Sequence, residues 1–191
     1  MVISLFEEVR FMSFFVDDKL FTVAPEDLSD GEKGVYEKLS ELGIPFEGVK
    51  HQEAWTIEDC LNIEKVLNVS ICKNLFLHNS NKSRLYLLIL PGSKKFFTKD
   101  LSKQINSTRM SFAGEDLMQK YLRVSPGYVS ALGLIYDTDA EITFLVDRDL
   151  LSEEYLGFHP CMNTSTIKIK TDDLLNNFIP ATKHTITYVE L

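Results

Sequence analysis

The chain has 191 residues, 45% of them apolar and 25% charged, which is the make-up of one ordinary globular domain with room for a core but not for two full domains. No apolar run approaches the roughly 20 residues of a membrane span, so neither a membrane protein nor a membrane partner is expected. Three cysteines, Cys60, Cys72 and Cys161, make an odd set without CxxC spacing, which argues against a disulfide framework and a zinc site and points to reduced thiols in a cytoplasmic protein.

The stretch from Met1 to Phe21 carries apolar patches broken by Glu7, Glu8, Asp17 and Asp18. Without a basic n-region or a small-residue cleavage site it does not read as a signal peptide. Residues 1–25 are read as an N-terminal extension, either a docking arm or a strand added to the domain, and residues 26–191 as the domain itself. Ser29 to Leu42 has Val35, Leu39 and Leu42 at helical spacing, with Gly43 to end the helix before Pro45; Ile44 to Glu47 follows as a short strand. Thr56 with Asp59 three residues on resembles a capping box, opening a helix that runs to about Leu67.

Ile71 to Leu77 and Arg84 to Leu90 are apolar strands joined by the polar turn His78 to Lys82, the pattern of a hairpin ended by Pro91 and Gly92. Helices are expected over Thr98 to Asn106 and Gly114 to Leu122, the second with Leu117, Met118 and Tyr121 inward. Beyond the turn Val124 to Val129 come a strand at Glu141 to Asp147, a helical piece at Asp149 to Tyr155, a loop at Gly157 to Pro160, a strand at Thr164 to Lys170, a capped helix at Thr171 to Phe178 and a strand at Thr185 to Leu191. Helices and strands mix without a regular βαβ rhythm. An α+β fold with a mixed β-sheet surrounded by helices is expected.

One residue interrupts this pattern. Lys73 sits in an apolar strand whose alternation puts it with Leu75 and Leu77 on one face and Cys72, Asn74 and Phe76 on the other. Two accounts stand: the aliphatic stem lies along apolar surface while the ammonium reaches water, or a partly desolvated ammonium awaits an anion or carbonyl. Asn74, Gly127 after Pro126, and His159 between Gly157 and Pro160 could join it to hold an ester carbonyl and orient a water. His51, His78 and His184 have no such setting and are read as surface residues. Cys72 and Cys161 neighbour candidate residues, but no His–Cys dyad is evident to activate either thiol. Walker, GxGxxG, GxSxG and HExxH motifs are absent.

Charge is uneven along the chain. Between Asn62 and Met110 nine lysines and arginines face two acids, a local +7 within a total of −8, and such a tract can dock a phosphate backbone. Lysines spread over several faces would give the same count.

The ordered segments Cys72 to Leu77, Tyr86 to Gly92, Val124 to Leu134 and Gly157 to Ser165 resemble the YbaK/ProX family of prolyl-tRNA editing domains, from about Gly31 to the C-terminus. The resemblance implies a partly barrel-like mixed sheet and a deacylase that hydrolyses mischarged tRNA(Pro), alanyl before cysteinyl, without metal or cofactor. A non-catalytic tRNA- or synthetase-binding module with the same fold is the rival. It implies that Lys73, Gly127 and His159 serve catalysis, that Asn74, Ser130 and Gly157 contact substrate, and that tRNA and prolyl-tRNA synthetase are partners. The family's GxxxP loop falls on Gly127 to Ala131, where alanine stands in place of the more usual proline.

Overall fold

The computed structural model describes residues 14–191. The part of the N-terminal extension before residue 14 lies outside the described residues. Helix α1 (Asp30–Glu41) starts at a full capping box: the Ser29 hydroxyl accepts from the Glu32 amide while the Glu32 carboxylate accepts from the Ser29 amide. Its inner face is Val35, Tyr36 and Leu39. It ends where Gly43 takes φ +63° and the Ile44 amide donates to Leu39 O. That closure uses Ile44, so strand β1 begins later than the sequence pattern suggests, at Glu47–Lys50. Helix α2 (Ile57–Leu67) carries the second capping box, on Thr56 and Asp59.

β2 (Ser70–Asn79) and β3 (Leu85–Pro91) form the expected hairpin, with Lys73 opposite Leu90 and Asn74 opposite Ile89. α3 (Thr98–Gln104) is followed by a strand the sequence does not announce, β4 (Met110–Phe112), too short to show an alternation of its own. After α4 (Glu115–Leu122) and a 3-10 turn (Ala131–Tyr136) come β5 (Ile142–Asp147), a second 3-10 turn (Arg148–Ser152), β6 (Tyr155–Phe158) and β7 (Ser165–Lys170). Gly157 and Phe158 thus belong to a strand and not to a loop, because Gly157 pairs with Ile71 on one side and Lys168 on the other. The expected capped helix from Thr171 is broken into α5 (Thr171–Asp173), a π turn (Leu174–Phe178) and α6 (Ile179–Ala181). No side chain caps it, since the Thr171 hydroxyl is drawn to Glu153 O. β8 (Ile186–Val189) completes the chain's strands.

All eight strands form one mixed sheet in the order β1-β7-β6-β2-β3-β5-β8, with β4 against β2. The larger core packs Val35, Leu39, Phe76, Leu87, Phe144 and Phe158 together on one side of it; a second, around Leu77, Leu88, Leu90, Leu101 and Leu145, fills the other. Alternation along β2 therefore runs as expected, with Cys72 and Phe76 in the first core and Leu75 and Leu77 in the second.

β2 is where the sheet opens. β6 pairs with it only at Ser70 and Ile71, and β4 only from Leu77 to Asn79, so Cys72 to Phe76 lacks a strand on the edge away from β3. Residues 14–21 run along the outer side of β1, where Val16 bridges His51 and Phe21 bridges Gly48. No helix of the described residues is long and apolar enough to cross a membrane.

Candidate active site

A cavity of about 640 Å³ occupies the opening beside β2, and Lys73, Asn74, Gly127 and His159 all line it. Residues 86 positions apart in sequence meet there because β2, the turn after α4 and the end of β6 converge at the gap. Most of the remaining wall is apolar, with Cys72, Phe76, Met118 and Val129 among its members.

Lys73 Nζ donates to the carbonyl of Lys94 at 2.7 Å. The ammonium is held by a neutral acceptor and pairs directly with no carboxylate among the described residues, although Glu64 and Glu153 line the same cavity. Lys94 in turn is fixed by Asp147 at 2.8 Å and Asp149 at 2.7 Å, so the carbonyl that aims Lys73 sits on an anchored segment.

Asn74 lines the cavity and also holds the loop beside it. Its Oδ1 accepts from the Ala131 amide at 2.8 Å and its Nδ2 donates to Cys72 O at 3.0 Å, tying the Gly127 loop to β2. A proline at 131 has no N–H and could not make this bond. The alanine here therefore supplies an anchor that a proline would remove.

Gly127 has φ +90°, in the region that favours glycine, and a Cβ there would meet Trp55 Cζ3 at 2.5 Å. Trp55, the only tryptophan, is 60% exposed and lies over this turn with its ring centroid 6.1 Å from that of Tyr128. It is held by its position before α2: the Asp59 carboxylate accepts from the amides of both Trp55 and Thr56, and the buried Asn163 exchanges two hydrogen bonds with the backbone of Ala54. Sequence reasoning missed Trp55, although its place immediately before a capping residue was a usable signal.

Ser130 and Gly157 do not reach the cavity. Ser130 is fully buried and spends its hydroxyl accepting from the Leu132 amide at the start of the 3-10 turn. A side chain on Gly157 would run into Val69 and Ile71 at 3.1 Å, so this glycine serves the close pairing of β6 and β2. Neither of the two expected substrate contacts lines the cavity; both residues shape its frame.

His159 is half-buried, and its Nδ1 lies 3.1 Å from Ser165 O and 3.1 Å from Thr166 Oγ1. Burial drives its pKa down to about 4 from 6.5, so the ring is neutral at physiological pH. His51 and His184, expected at the surface, are both buried, at 5% and 4% exposure. Each found polar partners that a sequence cannot show. His78 is half-buried in β2, its Nδ1 beside Asn79 O.

Neither thiol is poised for attack. Burial pushes Cys72 well above the ordinary range and Cys161 to about 12, so both remain protonated. Among the described residues no group of three His, Cys, Asp or Glu side chains is placed to hold a metal.

The family model for the aminoacyl-tRNA editing domain matches residues 51–176, a span that takes in every wall of this cavity. The chain belongs to the YbaK/ProX family of aminoacyl-tRNA editing domains. The editing domain is 34% identical over 163 residues to the prolyl-tRNA editing protein ProX of Acetoanaerobium sticklandii, covering 85% of this chain and 98% of that protein. It is 32% identical over 165 residues to the prolyl-tRNA synthetase associated domain-containing protein 1 of Danio rerio, covering 85% of this chain and 87% of the relative. Its fold matches that of a solved protein proposed as a trans-editing enzyme for prolyl-tRNA synthetase, with a TM-score of 0.62 at 13% identity over 86% of this chain and 99% of the other.

Proposed function

We propose that this editing domain is a deacylase that hydrolyses tRNA(Pro) mischarged with alanine, in trans to the synthetase. The observation that carries the reading is the meeting of Lys73, Gly127 and His159 on one mainly apolar cavity. An aminoacyl ester is already labile, so a site that orients it and stabilises the developing oxyanion suffices. Lys73 brings to that wall an ammonium aimed by a carbonyl and in direct pairing with no carboxylate among the described residues, suited to the ester oxygen or to the nearby phosphate. Gly127, without a side chain, lets the Trp55 ring close over its turn at the rim of the cavity. Burial raises the thiol pKa of Cys60 and Cys72, which line the cavity, and that of Cys161, and this favours attack by water or by the terminal ribose hydroxyl over a covalent intermediate.

Proline would be rejected by size where the amino-acid side chain meets the cavity wall, a subsite that accepts a methyl group and excludes a ring. The tRNA itself has a second landing place in a cleft of about 430 Å³ formed by Lys99, Lys103 and Arg109 with Ser102 and Ser107. Arg109 immediately precedes β4, whose Phe112 lines the cavity, so the basic cleft and the cavity are joined by one short strand. Backbone contacts of this kind position a nucleic acid without reading its bases.

Release of amino acid from Ala-tRNA(Pro), Cys-tRNA(Pro) and Pro-tRNA(Pro) by the wild-type chain tests the reading. Hydrolysis of the alanyl ester, sparing of the prolyl ester and a fall of about 100-fold in Lys73→Ala are expected. A preference for cysteine overturns the substrate, and full activity in Lys73→Ala overturns the mechanism.

A further inference from the structure

Three polar side chains behind the cavity form a chain whose direction can be worked out from its fixed ends. At one end His51 Nδ1 lies 2.6 Å from Gln52 O, and a carbonyl only accepts, so Nδ1 carries the proton and Nε2 is bare. His51 Nε2 is 2.9 Å from Thr166 Oγ1, so the threonine hydroxyl donates its one proton there. At the other end His159 Nδ1 faces Ser165 O, again an obligate acceptor, and must itself donate. The threonine oxygen, its proton already directed to His51, offers a lone pair to that same Nδ1–H at 3.1 Å. Every bond in the chain agrees with every other. The two imidazoles stand 5.6 Å apart, centroid to centroid.

We infer that the Ser165 carbonyl sets His159 in its Nδ1–H tautomer and that His51 is a positioning residue which protects that tautomer by turning the Thr166 hydroxyl proton away, so that a bare Nε2 faces the cavity as an acceptor for a hydroxyl or water at the ester. Two further observations support this. His159 Nε2 has no hydrogen-bond partner among the described residues although the ring lines the cavity. Burial also lowers the pKa of His51, as it does that of His159, which keeps both rings neutral and the chain single-valued. Were Thr166 unengaged by His51, its hydroxyl could turn and donate to His159 Nδ1 in competition with the Ser165 carbonyl, which would move the ring proton to Nε2 in a share of the molecules and present the wrong polarity to the substrate. His51 thus acts at one remove through a hydroxyl.

The inference rests on the proposed deacylase for its chemical purpose but not for its test. Nitrogen-15 NMR of the histidine rings in the free wild-type protein should show His159 and His51 as Nδ1–H tautomers near pH 7. His51→Phe frees the Thr166 hydroxyl while keeping a ring in place; it should give a mixed His159 tautomer and a kcat on Ala-tRNA(Pro) lowered about tenfold with KM unchanged, the scale on which losing a histidine's outer partner acts. Adding Thr166→Val to that variant removes the freed donor and should restore both readouts. An Nε2–H His159 in the wild type, or a His51→Phe protein with unaltered tautomer and kcat, overturns the inference. Absence of any hydrolysis by the wild type would remove the deacylase reading while the ring spectra still decide the tautomer.

Discussion

The molecule buries histidine in two places, and the partners differ. On the cavity side His51 and His159 meet only neutral groups, two carbonyls and a hydroxyl. On the far side His184 Nε2 lies 3.0 Å from the Asp137 carboxylate, and its Nδ1 lies 2.8 Å from Thr182 Oγ1, whose proton goes to Ile179 O. Here the ring meets an acceptor on each side, and no nitrogen is left over. The Asp137 carboxylate also accepts from the Ile142 amide at 2.7 Å, stitching the start of β5 to the segment before β8. One network ends in a free nitrogen at a cavity; the other closes on itself. His51 and His184 are equally buried, yet only the network of His51 runs on to a half-buried ring at a cavity, and there the atom without a partner, not burial, marks the candidate group.

The largest expected effect breaks the closed network. Asp137→Ala strands His184 and the Ile142 amide in the core and should cost about 3–5 kcal/mol of stability by chemical denaturation, the range for removing one member of a buried pair. The folded fraction of that variant should deacylate at the wild-type rate per molecule. A loss of activity beyond the loss of folded protein would contradict the division between the two networks.

Acid titration separates the networks next. His159 has a folded pKa of about 4 against 6.5 unfolded, so the unfolded chain binds the extra proton and stability declines as pH falls from about 6.5 toward 4. His51 is shifted in the same direction. Asp137 behaves differently: burial opposes its ionisation, but the bonds from His184 and the backbone prevail and hold it below the ordinary 3.8. Its contribution is intact above that value and disappears only as pH drops through the lowered pKa. Stability measured against pH should thus fall in two stages. Deacylation, corrected for spontaneous ester hydrolysis, should pass through pH 6.5 without a step and decline only toward pH 4.

The smallest effect concerns the cavity's rim. Gly127→Ala forces a side chain into a positive-φ position and against Trp55, and should cost about 1–2 kcal/mol. Because Trp55 is the only tryptophan, its fluorescence reports the displacement directly. An unchanged emission spectrum would show that the turn absorbs the extra carbon without moving the ring.

Much of the frame was legible residue by residue. Ser29 with Glu32 and Thr56 with Asp59 mark helix starts through local bonds three residues apart, and the β2–β3 hairpin follows from two apolar runs around a polar turn. The strand at Met110–Phe112 and the π turn at Leu174–Phe178 were not legible, since both arise from distant partners and have no period of their own. Within the site, Lys73 announced itself as a charge in an apolar strand, and Gly127 and His159 through their flanking prolines. Ser130 and Gly157 share those segments but face the frame, a matter of side-chain direction that adjacency in sequence does not fix. His51 and Thr166 gave no sign, because 115 positions separate two groups whose meaning lies in one hydrogen bond.

The sequence by itself determined most of the elements, the family likeness and the oddity of Lys73, because these rest on periodicity and on short-range order. Only the tertiary structure decided that β2 loses its neighbour between Cys72 and Phe76, and that Lys73, Gly127 and His159 share the cavity so opened. It also decided that Asn74 holds the loop through the Ala131 amide. The physical reason is that a gap in a sheet and the direction of a hydrogen bond are properties of several strands at once, and no local stretch of chain encodes them alone.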